Sequence, residues 1–163
     1  MMSARLAPGR SARREAPPNL IVIHAMGEVI DTHPARFAWD HLDSIGLSAH
    51  AYVTPSGVVV RQVADSRVAF HAGAWNEPSL GVEVLVPGVH RLPSLYRAMA
   101  APNWVSEPQL WGLSQLVAGW MRGYEIPRER IKGHAELDPE RKQDPGAGFP
   151  WARLFDYVGT LGA

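Results

Sequence analysis

The stretch NLIVIH, residues 19–24, decides how the fold is read. Leu20, Ile21, Val22 and Ile23 run together with no polar alternation, and three of the four are β-branched. That pattern fits a strand covered on both faces, as in the middle of an α/β sheet, and the run is expected to end at His24. A histidine at the end of a buried strand is well placed for a site. SLGVEVLV, residues 79–86, is a second central-strand candidate and carries one acidic residue, Glu83, among apolar neighbours.

Outward from these strands the chain alternates strand and helix signals. HPARFAWDHLDSIG (33–46) spaces Phe37, His41 or Leu42, and Ile45 at helical intervals and stops at a glycine, the mark of an amphipathic helix. HAYVTPSGVVVRQV (50–63) sets two β-rich runs around Pro55-Ser56-Gly57, a hairpin signal. Ser106 opens a longer helix: a capping serine, Pro108 in the first turn, Gln109 three residues on, then Leu110, Leu113, Val117, Trp120 and Tyr124 on one stripe. RIKGH (130–134) reads as a short strand delivering His134, and FPWARLFDYVGTL (149–161) as a closing helix. Residues 87–105, rich in Pro, Gly and Ala, read as the longest irregular stretch. Together these predict an α/β domain with a mixed central sheet flanked by helices.

Bulk properties narrow the function. A chain of 163 residues, 46% hydrophobic, supports one core and one domain. Sixteen basic residues balance sixteen acidic ones, so no net field draws the protein to nucleic acid or to an anionic membrane. A specific small ligand is the expected partner, and a monomer the expected state. The first 18 residues, MMSARLAPGRSARREAPP, are basic and read as a flexible arm ahead of a domain spanning 19–163. They hold no apolar run suited to a signal peptide, and no segment approaches the ~18 apolar residues of a membrane span, so synthesis in the cytoplasm is expected.

With no cysteine in the chain, a metal here must be held by imidazole and carboxylate. Catalytic zinc commonly takes three protein ligands and leaves one position open, and His24, His134 and Asp144 are the natural trio. Glu83, on an apolar strand, suits a general acid or base because burial raises a carboxyl pKa toward the working range. Lys142, two residues before Asp144, suits an oxyanion partner. Each also has an ordinary reading: His24 as a satisfied buried histidine, Glu83 facing water on an edge strand, Lys142 in a solvated charge run, Asp144 in an Asp-Pro-Gly turn. Spacing alone does not bring His24 near His134.

Six motifs in order, LIVIH, SAH (48–50), RVAFHAGAWN (67–76), SLGVEVLV, IPRERIKGHAELDPERKQDPG (126–146) and FPWARLF (149–155), resemble the zinc-dependent N-acetylmuramoyl-L-alanine amidases. That family includes phage amidase endolysins, AmpD-type recycling amidases and peptidoglycan recognition proteins. The resemblance runs from about Asn19 to Tyr157, and GHAELDPERKQDPG is its most specific piece. It implies the amidase-like α/β fold, one zinc per chain on His24, His134 and Asp144, Glu83 as acid/base, and Lys142 polarising the scissile carbonyl. His50, His71, Trp75 and Asn76 become substrate-contact candidates, His50 equally a structural or ligand-supporting histidine. Phe70 is expected in the core, and His33, His41 and His90 match nothing.

The implied reaction is hydrolysis of the bond between N-acetylmuramic acid and the L-alanine of the stem peptide, on peptidoglycan or muropeptides. A phage-type endolysin acting on the cell wall is the expected role, with a cytosolic recycling amidase or a non-catalytic peptidoglycan-binding module as alternatives. Ala25 and Met26 after the first histidine, where many members carry a second histidine or a polar residue, alter the local groove. Ala49 and Asp144, in place of the tyrosine and cysteine of T7-type phage lysozymes, align the chain with the AmpD branch. An iron oxygenase built on two histidines and one carboxylate is disfavoured, since no His and acid lie two residues apart in a strand-rich barrel pattern.

Overall fold

A computed structural model describes residues 3–6 and 9–163. In chain order the strands and helices are β1 (Ser3–Arg5), β2 (Ser11–Arg13), β3 (Leu20–Ile30), β4 (Arg36–Phe37), α1 (Ala38–Ser44), β5 (Ala51–Val53), β6 (Val59–Arg61), β7 (Arg67–Ala69), β8 (Ser79–His90), α2 (Leu92–Ala100), α3 (Glu107–Tyr124), β9 (Ile131–Gly133), α4 (His134–Leu137) and α5 (Trp151–Thr160). The main sheet runs β1-β6-β5-β8-β3-β4, with β9 beside β3 as well. It is mixed, as expected: β3 is parallel to β8 and β9, while β5 and β6 form the antiparallel hairpin. The hairpin turns at Gly57, whose φ of +84° a side-chain-bearing residue rarely adopts.

β3 and β8 read as unbroken apolar runs because both faces of the sheet are covered. Ile21, Ile23, Leu80, Val82 and Val84 point into a core with Leu110, Leu113 and Val117 of α3 and Leu154 and Val158 of α5. On the opposite face Met26, Tyr52 and Leu85 meet Ala38 and Leu42 of α1. Ile21, Ile23 and Leu80 are all 0% exposed, and each such side chain contributes roughly 1.5–3 kcal/mol by leaving water. Ser106 caps α3 as its sequence indicates, its Oγ accepting from the Gln109 N–H at 3.2 Å. The buried Gln109 amide then donates to Val53 O and Leu85 O, both at 2.8 Å, and so ties α3 to the sheet just where β5 and β8 part.

Besides the helix read over 33–46, which spans only Ala38–Ser44 because Arg36–Phe37 pair with β3, leaving Phe37 and Ile45 exposed, three segments differ from their sequence reading. β3 does not stop at His24 but continues to Ile30, because β8 keeps pairing with it past an irregularity between Gly27 and Val29. The stretch 87–105 is not irregular throughout: β8 runs to His90, and α2 follows with Pro93 in its first turn. Its Leu95 and Met99 are buried against Ala25 and Val86. The third is the N-terminal segment, read as a flexible arm, where β1 lies parallel to β6 and β2 antiparallel to β7. Arg14 fastens its end, donating to Asp65 O at 3.2 Å, Arg67 O at 2.9 Å and Ser79 O at 2.8 Å. Free strand edges supplied those partners, a feature composition alone does not reveal. Among the described residues no helix is long and apolar enough to cross a membrane.

Candidate metal centre and cleft

Parallel register assembles the site. Ile23 lies opposite Val82 on β8 and Gly133 on β9, and one residue further His24 lies opposite Glu83 while His134 opens α4. The register of adjacent parallel strands thus brings Glu83 and His24, each midway along its strand, beside His134 at the end of β9. Asp144 reaches the same point from the loop after α4, and the Ala135 N–H donates to Asp144 O at 2.9 Å to hold that loop down.

Asp144 Oδ2 lies 3.0 Å from His24 Nδ1 and 3.3 Å from His134 Nδ1. One ligand atom from each of the three residues lies within 4.8 Å of the others. His24 and His134 are buried and the Asp144 side chain is 15% exposed. Burial lowers the His24 pKa against the pull of Asp144, keeping the ring neutral with a lone pair available. Burial pushes the Asp144 carboxyl upward, but the adjoining His134 and His24 rings outweigh it and hold the group below the usual carboxylate range. Two imidazoles and one carboxylate, gathered with no thiolate, make a donor set that suits a divalent cation such as zinc.

Beside them Glu83 is 6% exposed, and its pKa is pushed up to about 8, first by burial and then by the Asp144 charge, with Lys142 opposing. The ionised Asp144 carboxylate leaves negative charge beside the two imidazoles that a divalent cation offsets. Among the described residues no side-chain hydrogen bond or ion pair engages the Lys142 ammonium, and the Lys142 N–H donates to Asp138 O at 2.9 Å, fixing the loop beneath it. All five residues line one cleft of about 290 Å³. Its lining also includes the apolar Leu47, Phe70, Leu92 and Tyr96 and the polar Arg141 and Gln143.

Four residues singled out as substrate contacts are placed differently from one another. His71 lines the cleft. Asn76 instead holds the preceding loop, its Oδ1 accepting from the N–H groups of His71 at 2.9 Å and Ala72 at 2.6 Å. Trp75 is 38% exposed on a 3-10 turn and is not part of the cleft wall. His50 is 0% exposed, which leaves it no surface for a ligand; its Nδ1 accepts from the Gly81 N–H at 2.9 Å and its Nε2 faces Arg67 O at 3.0 Å. Phe70, expected in the core, is half-buried in the cleft wall. His41 lines the cleft although no motif marked it, because only the packing of α1 against the sheet turns it there.

His50 carries a pH prediction. Burial lowers its pKa to about 3 from the ordinary 6.5. Between those values the unfolded chain binds a proton that the folded chain refuses, so stability is full above pH 6.5 and falls as pH drops toward 3, by about 1.4 kcal/mol per unit at most. Urea unfolding of the native chain and of His50→Gln at pH 7, 6 and 5 measures this. The variant is expected to lose that part of the slope, and an unchanged slope assigns it to other groups.

The comparisons with known proteins bear on this arrangement. A model of the N-acetylmuramoyl-L-alanine amidase family, Amidase_2, matches residues 14–147. The 1,6-anhydro-N-acetylmuramyl-L-alanine amidase AmpD of Haemophilus influenzae is 28% identical over 121 residues, covering 69% of this chain and 59% of that protein. The chain therefore spans about three fifths of the length of this curated relative. A selenomethionine derivative of AmpD superposes with a TM-score of 0.76 at 22% identity, covering 96% of this chain and 94% of the other. The endolysin amidase LysCS of Clostridium intestinale superposes at 0.70 and 19% identity, covering 98% and 97%. At these identities the two structures speak to the fold.

Proposed function

Because the chain belongs to the N-acetylmuramoyl-L-alanine amidase family, we propose that it is a zinc amidase cleaving the amide between the lactyl group of N-acetylmuramic acid and the L-alanine of a peptidoglycan stem peptide. One observation carries this reading: His24, His134 and Asp144 converge within 4.8 Å beside a buried Glu83 and a Lys142 that no side chain among the described residues engages, all lining one cleft. That trio would hold zinc, which when bound would supply Lewis acidity and lower the pKa of water toward about 7.

The chain's own groups do the rest. A carboxyl oxygen of Glu83 takes the proton of the attacking water, for which a pKa raised into the neutral range suits it. As the water oxygen bonds to the lactyl carbonyl carbon, negative charge grows on the carbonyl oxygen, and the Lys142 ammonium faces it. The carbon–nitrogen bond then breaks, and Glu83 returns the proton to the departing L-alanine nitrogen. Burial of His24, Glu83 and His134 strengthens the electrostatic interactions among these groups. Lys142→Ala is expected to retain zinc and lower turnover by on the order of 10²–10³-fold; turnover equal to the native protein removes Lys142 from the reaction.

Wall lysis is the role expected of a compact chain with a basic N-terminal segment, whereas Ala49 and Asp144 resemble the AmpD branch. A specific observation favours a second role, muropeptide recycling: a curated relative matching 69% of this chain is named a 1,6-anhydro-N-acetylmuramyl-L-alanine amidase. Parallel hydrolysis of intact sacculi and of a purified anhydromuropeptide separates them. Preferential release from sacculi supports lysis, and preferential cleavage of the soluble substrate supports recycling. A non-catalytic binding module is disfavoured by the complete set of ligands, acid/base and lysine.

A further inference from the structure

His71 faces two ways, into the cleft and back onto the metal trio, and the second contact has no part in the reaction above. Its Nδ1 lies 2.9 Å from His24 Nε2, the ring nitrogen turned away from Asp144. Its Nε2 lies 3.3 Å from Ser79 Oγ, and the Ser79 hydroxyl donates to Trp75 O at 2.5 Å. A carbonyl can only accept, so direction propagates backward along the row. Once the Ser79 proton is committed to Trp75 O, Ser79 Oγ is free to accept from His71 Nε2–H. His71 Nδ1 then carries a lone pair and accepts from His24 Nε2–H, leaving His24 Nδ1 bare toward Asp144 and His134.

We propose that His71 and Ser79 form a positioning relay that holds His24 in the tautomer whose Nδ1 is free to bind the metal. Without it, His24 faces a competing choice: the Asp144 carboxylate 3.0 Å away favours a proton on Nδ1, the nitrogen needed as a ligand. The relay opposes that choice through the far side of the ring.

The local fold is built to keep His71 there. A Cβ at Gly81 would fall 2.4 Å from His71 Nδ1, so only glycine at that position lets the ring lie flat against β8. Gly81 is itself clasped by His50, whose N–H donates to Gly81 O at 3.1 Å and whose Nδ1 accepts from the Gly81 N–H at 2.9 Å. Asn76 fixes the backbone at His71 and Ala72. The motifs RVAFHAGAWN and SLGVEVLV thus meet on one function: the first supplies the relay imidazole and its loop clamp, the second supplies Ser79 and the space at Gly81. Partners of a metal-bound imidazole typically change metal affinity by about 10–100-fold when removed.

The inference rests on the reading of His24, His134 and Asp144 as a zinc site, and the test separates the two. Zinc affinity of the full chain is measured by competition with a chromogenic chelator for the native protein, His71→Phe, His71→Gln and Ser79→Ala, with folding checked by circular dichroism. Native binding with a roughly 10–100-fold loss in His71→Phe, a smaller loss in Ser79→Ala and partial recovery in His71→Gln, whose carbonyl accepts from His24, supports the relay. Native affinity in His71→Phe overturns the relay and leaves the zinc site standing. No zinc binding by the native chain overturns both. Should His71→Phe fail to fold, ¹⁵N-histidine spectra of the native zinc-loaded protein decide: the proton on His71 Nε2 supports the relay, and the proton on Nδ1 overturns it.

Discussion

Asp144→Ala is expected to lose its zinc during buffer exchange and to hydrolyse muropeptide at least on the order of 10³-fold more slowly than the native chain. Asp144 is the charged member of the trio, and its Oδ2 lies between the Nδ1 atoms of His24 and His134. Removing it leaves two neutral donors and takes away the charge that draws a cation into a largely buried site. His134→Ala is expected to behave alike, because a catalytic zinc left with two protein ligands loses both affinity and geometry. Asp144→Asn separates charge from shape: it keeps the side-chain volume and one oxygen, so loss of zinc in that variant assigns the effect to the ionised carboxylate. Elemental analysis of dialysed protein, paired with initial rates, reads both quantities. Stoichiometric zinc in Asp144→Ala places the metal elsewhere.

Glu83→Ala is the complementary case, with zinc retained and turnover lowered by on the order of 10²–10⁴-fold, the usual worth of a positioned general acid or base. The two variants divide the site into a part that holds the metal and a part that moves the proton. Glu83→Gln tests the same division with nearly constant volume. It is expected to fold at least as stably as the native chain when zinc-free, since burial and the Asp144 charge already push the Glu83 pKa to about 8 and the fold does not favour the ionised form. Loss of activity without loss of stability is the signature of a group kept for chemistry at the expense of packing. Undiminished turnover in Glu83→Ala takes the residue out of the mechanism.

The frame of the fold was legible where local chemistry dictates it. The apolar runs at Leu20 and Leu80, the Gly57 turn and the capped start of α3 each follow from a few neighbouring residues. Less legible were features set by long-range pairing. Nothing near His24 says that β3 continues to Ile30, because the hydrogen bonds that extend it come from β8, nearly sixty residues away along the chain. The N-terminal strands depend on the exposed edges of β6 and β7, and α2 depends on Leu95 and Met99 finding Ala25 and Val86.

The site divides in the same way. Residue types in a cysteine-free chain nominated His24, His134, Asp144, Glu83 and Lys142, but their convergence follows from the parallel register of β8, β3 and β9. His50, His71 and Asn76 sit in motifs that signal a site without saying what each does there. Only the folded arrangement distinguishes a loop clamp, a buried scaffold histidine and a ring in hydrogen-bond contact with His24. His41 carried no signal, since its place in the cleft wall is decided by how α1 docks.

The most direct test is mass spectrometry of products after incubation of the purified chain with muropeptide substrate, untreated, chelator-treated, and chelator-treated then resupplied with zinc. Free stem peptides beginning with L-alanine, lost on chelation and restored by zinc, are the predicted result. Zinc bound to the chain with no stem peptide released from sacculi or from soluble anhydromuropeptide would contradict the amidase reading and leave a binding module in its place.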